Sequence, residues 1–161
     1  MEDKLKGKKV LIVDDEPDIL ETLEELLPMC KTVRASSLEE AKKQLETQAF
    51  DIAVLDIMGV DGYTLLEMAT KKNVIAAMLT AHALSPKDTV KSFKGGAAYY
   101  IPKDKITDIA VFLNDILEAK AKGKSLWSKW LDRMDSYYKD KFGKNWKEED
   151  REFWENPSRY G

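Results

Sequence analysis

The chain has 161 residues, of which 43% are hydrophobic and 34% charged, and its formal net charge is −3. This length predicts one domain with an appendage, and the composition is that of a soluble globular protein. No apolar run approaches the ~20 residues that a membrane helix needs, and the charge balance is not that of a nucleic-acid-binding surface.

The N-terminus and the single cysteine both favour the cytoplasm. Residues 1–4 include acidic side chains and no apolar core of a signal peptide. Cys30 has no second cysteine with which to form an internal disulfide, so we expect a small hydrophobic residue rather than a nucleophile. These features predict a cytoplasmic protein without membrane association.

The first predicted elements are a strand, a helix and a second strand. The apolar run at residues 8–13 predicts a buried strand that ends in the acid pair Asp14 and Asp15. Pro17, among acidic residues, begins a helix whose apolar positions recur at helical spacing. Residues 31–35 predict a weaker strand, after which a capping box begins the second helix.

The stretch at residues 50–56 predicts a strand buried on both faces, and it ends in Asp56. A turn with two glycines and a third helix follow. The next apolar run ends in Thr80, and a further helix leads to a short last strand before Lys103. With a helix at residues 104–121, five strands alternate with five helices, which predicts a doubly wound α/β sheet with parallel strands.

The strands end in side chains that suit one chemistry. If these strands are neighbours, then Asp14, Asp15, Asp56, Thr80 and Lys103 share the crevice at their carboxyl ends, where such sheets bind ligands. Three close carboxylates require a compensating cation, and their oxygens suit Mg²⁺. The sequence therefore predicts a magnesium-dependent phosphoryl site on aspartate.

With these residues in order, the chain resembles the receiver domain of two-component response regulators over roughly residues 8–120. Asp14 and Asp15 match the family's magnesium-holding pair, and Asp56 matches its phosphoacceptor. Thr80 matches the hydroxyl that contacts the phosphoryl group, and Lys103 matches the lysine that pairs with it. The resemblance implies a flavodoxin-like five-stranded parallel sheet in the order 2-1-3-4-5.

The resemblance also implies a further metal ligand and a switch. The backbone carbonyl of Met58 would complete the magnesium ligands with Asp14, Asp15 and Asp56, while Tyr100 would act with Thr80 as the switch. The chain departs from the family in two places. Asp61 and Gly62 follow Asp56 two residues sooner than they do in the family, and the usual proline is absent from this loop. A proline also precedes Lys103 rather than following it. We expect the shortened loop to reposition the third helix.

The resemblance implies that Asp56 takes a phosphoryl group from a histidine kinase or phosphotransfer protein, with Mg²⁺, and so changes a partner-binding surface. The alternative is a degenerate receiver that serves as a phosphorylation-independent interaction scaffold. A haloacid-dehalogenase-like enzyme would need a second acid two residues after the nucleophile, where Met58 stands, so we expect no enzyme of that kind. We expect His82 to be an exposed loop residue rather than one that tunes hydrolysis.

The sequence predicts a helical C-terminal extension at residues 122–161, distinct from a receiver domain at residues 1–121. All four tryptophans lie in the extension, and apolar residues recur at helical spacing from Leu126 to Phe142. A second short helix is predicted from Glu148. The extension is too short for its own core and lacks a DNA-reading helix. We expect it to pack back on the receiver, or to contact a downstream protein or a second copy.

Overall fold

The computed structural model describes residues 3–81, 85–122 and 127–155, without the side chains of Trp127 and Ser128. Five parallel strands form one sheet in the order β2-β1-β3-β4-β5, which confirms the predicted topology. The strands are β1 (Lys9–Val13), β2 (Lys31–Ala35), β3 (Ile52–Asp56), β4 (Ile75–Thr80) and β5 (Tyr99–Pro102). The α-helices are α1 (Pro17–Leu26), α2 (Leu38–Thr47), α3 (Gly62–Lys71), α4 (Pro86–Lys94), α5 (Ile109–Lys122), α6 (Trp127–Phe142) and α7 (Arg151–Glu155).

The central strand β3 is buried at all five positions, as an apolar run between two helix layers requires. Within these layers, α1 contacts α5, and α2 contacts α3. Parallel pairing places Asp56 beside Leu79, and Thr80 beside Pro102, so the strand ends share one edge of the sheet. In the described ranges, no helix combines the length and the apolarity needed to cross a membrane.

The short loop between β3 and α3 is closed by a hydrogen bond from the Gly62 N–H to the Ile57 carbonyl, at 3.0 Å. Asp61 precedes α3 in the left-handed conformation, with a φ of 54°, which aspartate tolerates better than most residues. Its carboxylate accepts a hydrogen bond from the Thr64 N–H and caps the helix. The two residues therefore make an abrupt turn from the strand into the helix.

The predicted helix at residues 104–121 was wrong for its first turn. Lys103–Asp108 form a 3₁₀-helix, and α5 begins only at Ile109. Lys103 turns into the acidic strand edge, whereas the next side chain, Asp104, contacts α6. These opposed contacts favour the tighter geometry that often precedes an α-helix.

The C-terminal extension, described for residues 127–155, packs on the α/β part of the molecule, which comprises β1 to α5. Trp130, Met134 and Tyr138 of α6 are fully buried, and Phe93 of α4 contacts the Trp130 ring at a centroid distance of 5.2 Å. The buried side chains of both parts form one core. Of the predicted arrangements, the structure shows packing back on the α/β part, and the domain boundary at residue 121 stays a prediction.

Candidate functional site

Four of the predicted site residues meet at the carboxyl edge of the sheet. Asp14 directly follows β1, Asp56 ends β3 and Thr80 ends β4, and all three are buried. Lys103 follows β5 at the same edge. The sequence separates these residues widely, and the parallel order of the strands brings them together.

Lys103 is the cation at the centre of this site, with only 9% of its side chain exposed. Its Nζ lies 2.8 Å from Asp14 Oδ2, 3.4 Å from Glu16 Oε1 and 3.6 Å from Asp56 Oδ1. Burial alone would lower the pKa of Lys103, but the ion pairs with Asp14, Asp56 and Glu16 leave it above its usual value. The lysine is therefore a fixed positive charge shared among three acids.

The lysine does not fully neutralise the buried acids. Burial, followed by the charge of Asp14, raises the pKa of Asp56 to about 6, although Lys103 and a hydrogen bond from the Gly59 N–H both lower it. Burial also raises the pKa of Asp14, against its hydrogen bonds with Lys103 and the Glu16 N–H. The site therefore carries excess negative charge that a further cation would offset.

The donor set fits Mg²⁺. Carboxylate oxygens of Asp14, Asp15 and Glu16 lie within 4.8 Å of one another. Such hard oxygen donors, a few per site with water completing the shell, are what Mg²⁺ prefers. Of the predicted ligands, Asp14 and Asp15 belong to this cluster, and Asp56 lies across Lys103 from Asp14. The Met58 side chain is 73% exposed, and the role predicted for its carbonyl stays a prediction.

The two predicted switch residues are both buried. Thr80 ends β4 with 1% of its surface exposed, and Tyr100 in the middle of β5 has none. The carbonyl of Tyr100 accepts a hydrogen bond from the Trp130 indole of α6, at 3.0 Å. The switch role predicted for the two residues stays a prediction, and Tyr100 is already inside the core in this structure. His82 lies outside the described residues.

Sequence reasoning missed two residues of the site. Glu16 was treated only as a helix-starting acid, yet it contacts Lys103 and shares the acidic cluster. Gly59 lies against the Asp15 carboxylate so closely that a Cβ there would stand 2.2 Å from Asp15 Oδ1. The position of Glu16 directly after the acid pair was a usable signal, whereas the contact of Gly59 depends on the fold of the loop.

Comparison with known proteins gives a consistent result. The response regulator receiver domain family matches residues 10–112. The chain is 37% identical over 105 residues to the two-component response regulator ARR18 of Arabidopsis thaliana, covering 60% of this chain and 16% of that protein. It is 41% identical over 101 residues to the heme response regulator HssR of Staphylococcus aureus strain Newman, covering 58% of this chain and 43% of that protein.

A solved structure supports the fold. A CheY-like response regulator receiver domain protein from Methanospirillum hungatei JF-1 matches with a TM-score of 0.65 at 30% identity, covering 73% of this chain and 98% of that chain. The chain spans less than half the length of the two curated relatives, and the family match ends before α6 and α7.

Proposed function

Because this chain belongs to the response regulator receiver domain family, we propose that it is a phosphoacceptor. It takes a phosphoryl group on Asp56 from the phosphohistidine of a histidine kinase or phosphotransfer protein. The observation that carries the proposal is the meeting of Asp56, Thr80 and Lys103 beside an acidic cluster that suits a divalent cation. A cytoplasmic location and a change in a partner-binding surface belong to the same proposal.

The transfer follows from the chemistry of these groups. A carboxylate oxygen of Asp56 attacks phosphorus, a P–O bond forms, and the P–N bond to the donor imidazole breaks. The imidazole nitrogen keeps the electron pair and takes up a proton from solvent. Lys103, with its Nζ 3.6 Å from Asp56 Oδ1, would pair with the transferred oxygens. The Thr80 hydroxyl, one strand away, would donate to the phosphoryl group.

The magnesium ion would be held by Asp14, Asp15 and Asp56, with Glu16 nearby. Bound there, Mg²⁺ supplies positive charge to the phosphoryl oxygens, and such transfers depend mainly on positioning and electrostatics. The exposed position of Asp15 and the burial of Asp14 leave one side of this cluster open to solvent and to a donor protein.

The test is an intact-mass measurement after incubation with a small phosphodonor, such as acetyl phosphate, and Mg²⁺. We expect the wild type to gain the mass of one phosphoryl group, and we expect Asp56→Asn to gain none. Asp61→Asn is a matched control, because this exposed acid caps α3 outside the acidic cluster. An unmodified wild type, or undiminished labelling of Asp56→Asn, would refute the proposal.

A phosphorylation-independent scaffold is the second candidate. It is favoured by the short loop at residues 57–61, which departs from the family pattern beside Asp56. Titration with Mg²⁺ separates the candidates, because a scaffold needs no metal, whereas the phosphoacceptor should bind Mg²⁺ and lose that binding in Asp56→Asn. We expect neither form to turn over small phosphate esters.

A further inference from the structure

Helix α6 contacts the segment of chain that carries Lys103. The Trp130 indole donates to the Tyr100 carbonyl at 3.0 Å, and the Tyr137 hydroxyl donates to Asp104 Oδ2 at 3.0 Å. Lys141 Nζ lies 3.7 Å from the same Asp104 oxygen. Residues 100–104 are therefore held by α6 through Tyr100 and Asp104, and by the acidic site through Lys103.

A phosphoryl group on Asp56 would change the forces on this segment. Lys103 Nζ is now closer to Asp14 than to Asp56, at 2.8 Å against 3.6 Å. An acyl phosphate adds about one to two negative charges and new acceptor oxygens, which would draw the ammonium away from Asp14. Because Lys103 is almost wholly buried, its displacement is transmitted to the adjoining backbone.

Movement of the segment would disturb α6 in turn. Tyr100 is fully buried and its carbonyl accepts the hydrogen bond of the Trp130 indole, so a displacement of this stretch of backbone would disturb α6. Asp104 directly follows Lys103. Its hydrogen bond with Tyr137 and its ion pair with Lys141 oppose a movement of Asp104 together with Lys103. The contacts made by α6 therefore favour the position of Lys103 beside Asp14.

The contacts of α6 with the α/β part extend beyond residues 100–104. The Tyr138 hydroxyl lies 2.6 Å from Thr89 Oγ1 of α4, within a buried pair, and the Arg133 guanidinium forms two hydrogen bonds with buried Asp115 of α5. The extension thus touches α4, β5 and α5 together. Packed interfaces favour discrete arrangements over continuous deformation, as switching requires.

We infer that the C-terminal extension is an internal ligand whose docking on α4, β5 and α5 is coupled to the state of Asp56. The docked extension favours the unphosphorylated receiver, and a phosphoryl group on Asp56 loosens α6. This inference rests on the proposed function. By linkage, weakening the contacts between α6 and residues 100–104 should tighten the binding of a phosphoryl analogue, by at most the free energy that those contacts contribute.

Intrinsic fluorescence reports this coupling directly, because all four tryptophans lie in the extension. We would add Mg²⁺ and beryllofluoride, a phosphoryl analogue, to the full chain and record the emission spectrum while measuring binding by calorimetry. We expect a red shift in the wild type as indoles become hydrated, and no shift with Mg²⁺ alone or in Asp56→Asn.

The Tyr137→Phe variant removes the hydrogen bond to Asp104 and keeps the ring. We expect it to bind beryllofluoride roughly threefold to tenfold more tightly, since a single hydrogen bond supports a change of this size. Lys141→Gln, at an exposed position, should act in the same direction with a smaller effect. Ser136→Ala, on an exposed position of the same helix, is the matched control and should bind like the wild type.

The outcomes separate this inference from the proposed function. Binding of beryllofluoride without a change in fluorescence, together with unchanged affinity in Tyr137→Phe and Lys141→Gln, would overturn the coupling and leave the phosphoacceptor role intact. Absence of both beryllofluoride binding and phosphodonor labelling would instead overturn the proposed function, and the coupling with it.

Discussion

Asp56 occupies a place that opposes its own ionisation. It is 4% exposed, and the charge of Asp14 adds to the effect of burial. Lys103 offsets only part of this cost, because its closest partner is Asp14. A buried carboxylate under such conditions reduces the stability of the folded chain while it keeps a reactive oxygen available for chemistry.

The first prediction concerns stability in magnesium-free buffer. A pKa that rises from 3.8 to about 6 on folding corresponds to roughly 3 kcal/mol as an upper bound. We therefore expect Asp56→Asn to raise the free energy of unfolding at pH 7 by roughly 1–3 kcal/mol, measured by urea denaturation. Asp140→Asn, an exposed change of the same charge, is the control and should shift stability by less than about 0.5 kcal/mol.

The gain from Asp56→Asn should depend on pH in a defined direction. The folded state binds the Asp56 proton more tightly than the unfolded chain does, so the wild type loses stability as pH rises from about 4 to about 6. The difference between the two proteins should therefore be fully developed above this window and fade below it. An advantage for Asp56→Asn that grew toward acid pH would contradict this account.

At the residue scale, the sequence predicted which side chains come together but not their partners. The placement of Asp14, Asp56, Thr80 and Lys103 follows from strand ends meeting at one edge, a rule that is independent of side-chain detail. The preference of Lys103 for Asp14 over Asp56 depends on rotamers and on burial, which no linear pattern reports. The same limitation hid the contact between Glu16 and Lys103.

At the element scale, the β3–α3 loop shows how two glycines serve different purposes. A Cβ on Gly59 would meet the Asp15 carboxylate, the end of an exposed side chain that can move aside. A Cβ on Gly62 would meet the Asp56 carbonyl oxygen at 2.2 Å and the Ile57 Cα at 2.8 Å, both fixed backbone atoms. The first glycine therefore leaves room for the carboxylate of a proposed metal ligand, and the second permits the loop to close.

The second prediction separates these two roles. Gly59→Ala should leave the unfolding free energy within about 1 kcal/mol of the wild type but weaken Mg²⁺ binding roughly threefold to tenfold, because Asp15 must leave its position. Gly62→Ala should cost more than about 2 kcal/mol of stability, because backbone atoms must separate. Urea denaturation and Mg²⁺ calorimetry measure the two effects, and equal losses of stability in both variants would count against the assignment.

Helix positions were predictable at this scale where an apolar period and a cap agreed. Ser37 caps α2 where a capping box was predicted, with its hydroxyl accepting a hydrogen bond from the Glu40 N–H. The first turn after β5 was not predictable, since its 3₁₀ geometry reflects the opposite pulls on Lys103 and Asp104. Tertiary contacts, rather than local propensity, set the course of that turn.

At the scale of the whole molecule, the extension completes the core rather than standing beside it. Trp130 stacks on Trp154 and meets Phe93 of α4 edge to face, so aromatic side chains from three helices form one cluster. The sequence left open whether this cluster would serve the chain itself or a partner. In the structure the cluster packs within the chain. The sequence could not predict this, because the complementary apolar face of α4 forms only when the chain folds.

The third prediction follows from this shared core. Unfolding in urea should give coincident transitions by tryptophan fluorescence, which reports only the extension, and by far-ultraviolet circular dichroism, which reports the whole chain. A chain truncated after Lys122 should unfold at lower urea, since Phe93 and Asp115 would lose the partners they find on α6. A fluorescence transition that precedes the dichroism transition would show that the extension unfolds independently.

The sheet has two outermost strands, β2 and β5, and the position of β5 gives the helix that covers it a further significance. β5 pairs with β4 on one flank only among the described strands, and α6 lies against it with an indole on a main-chain oxygen. Bare strands at a sheet margin recruit matching strands from other molecules and seed precipitation. A helix that lies along this margin opposes such pairing at one of the two edges of the sheet, and each opening of that cover would expose the edge of β5 to strands of other molecules.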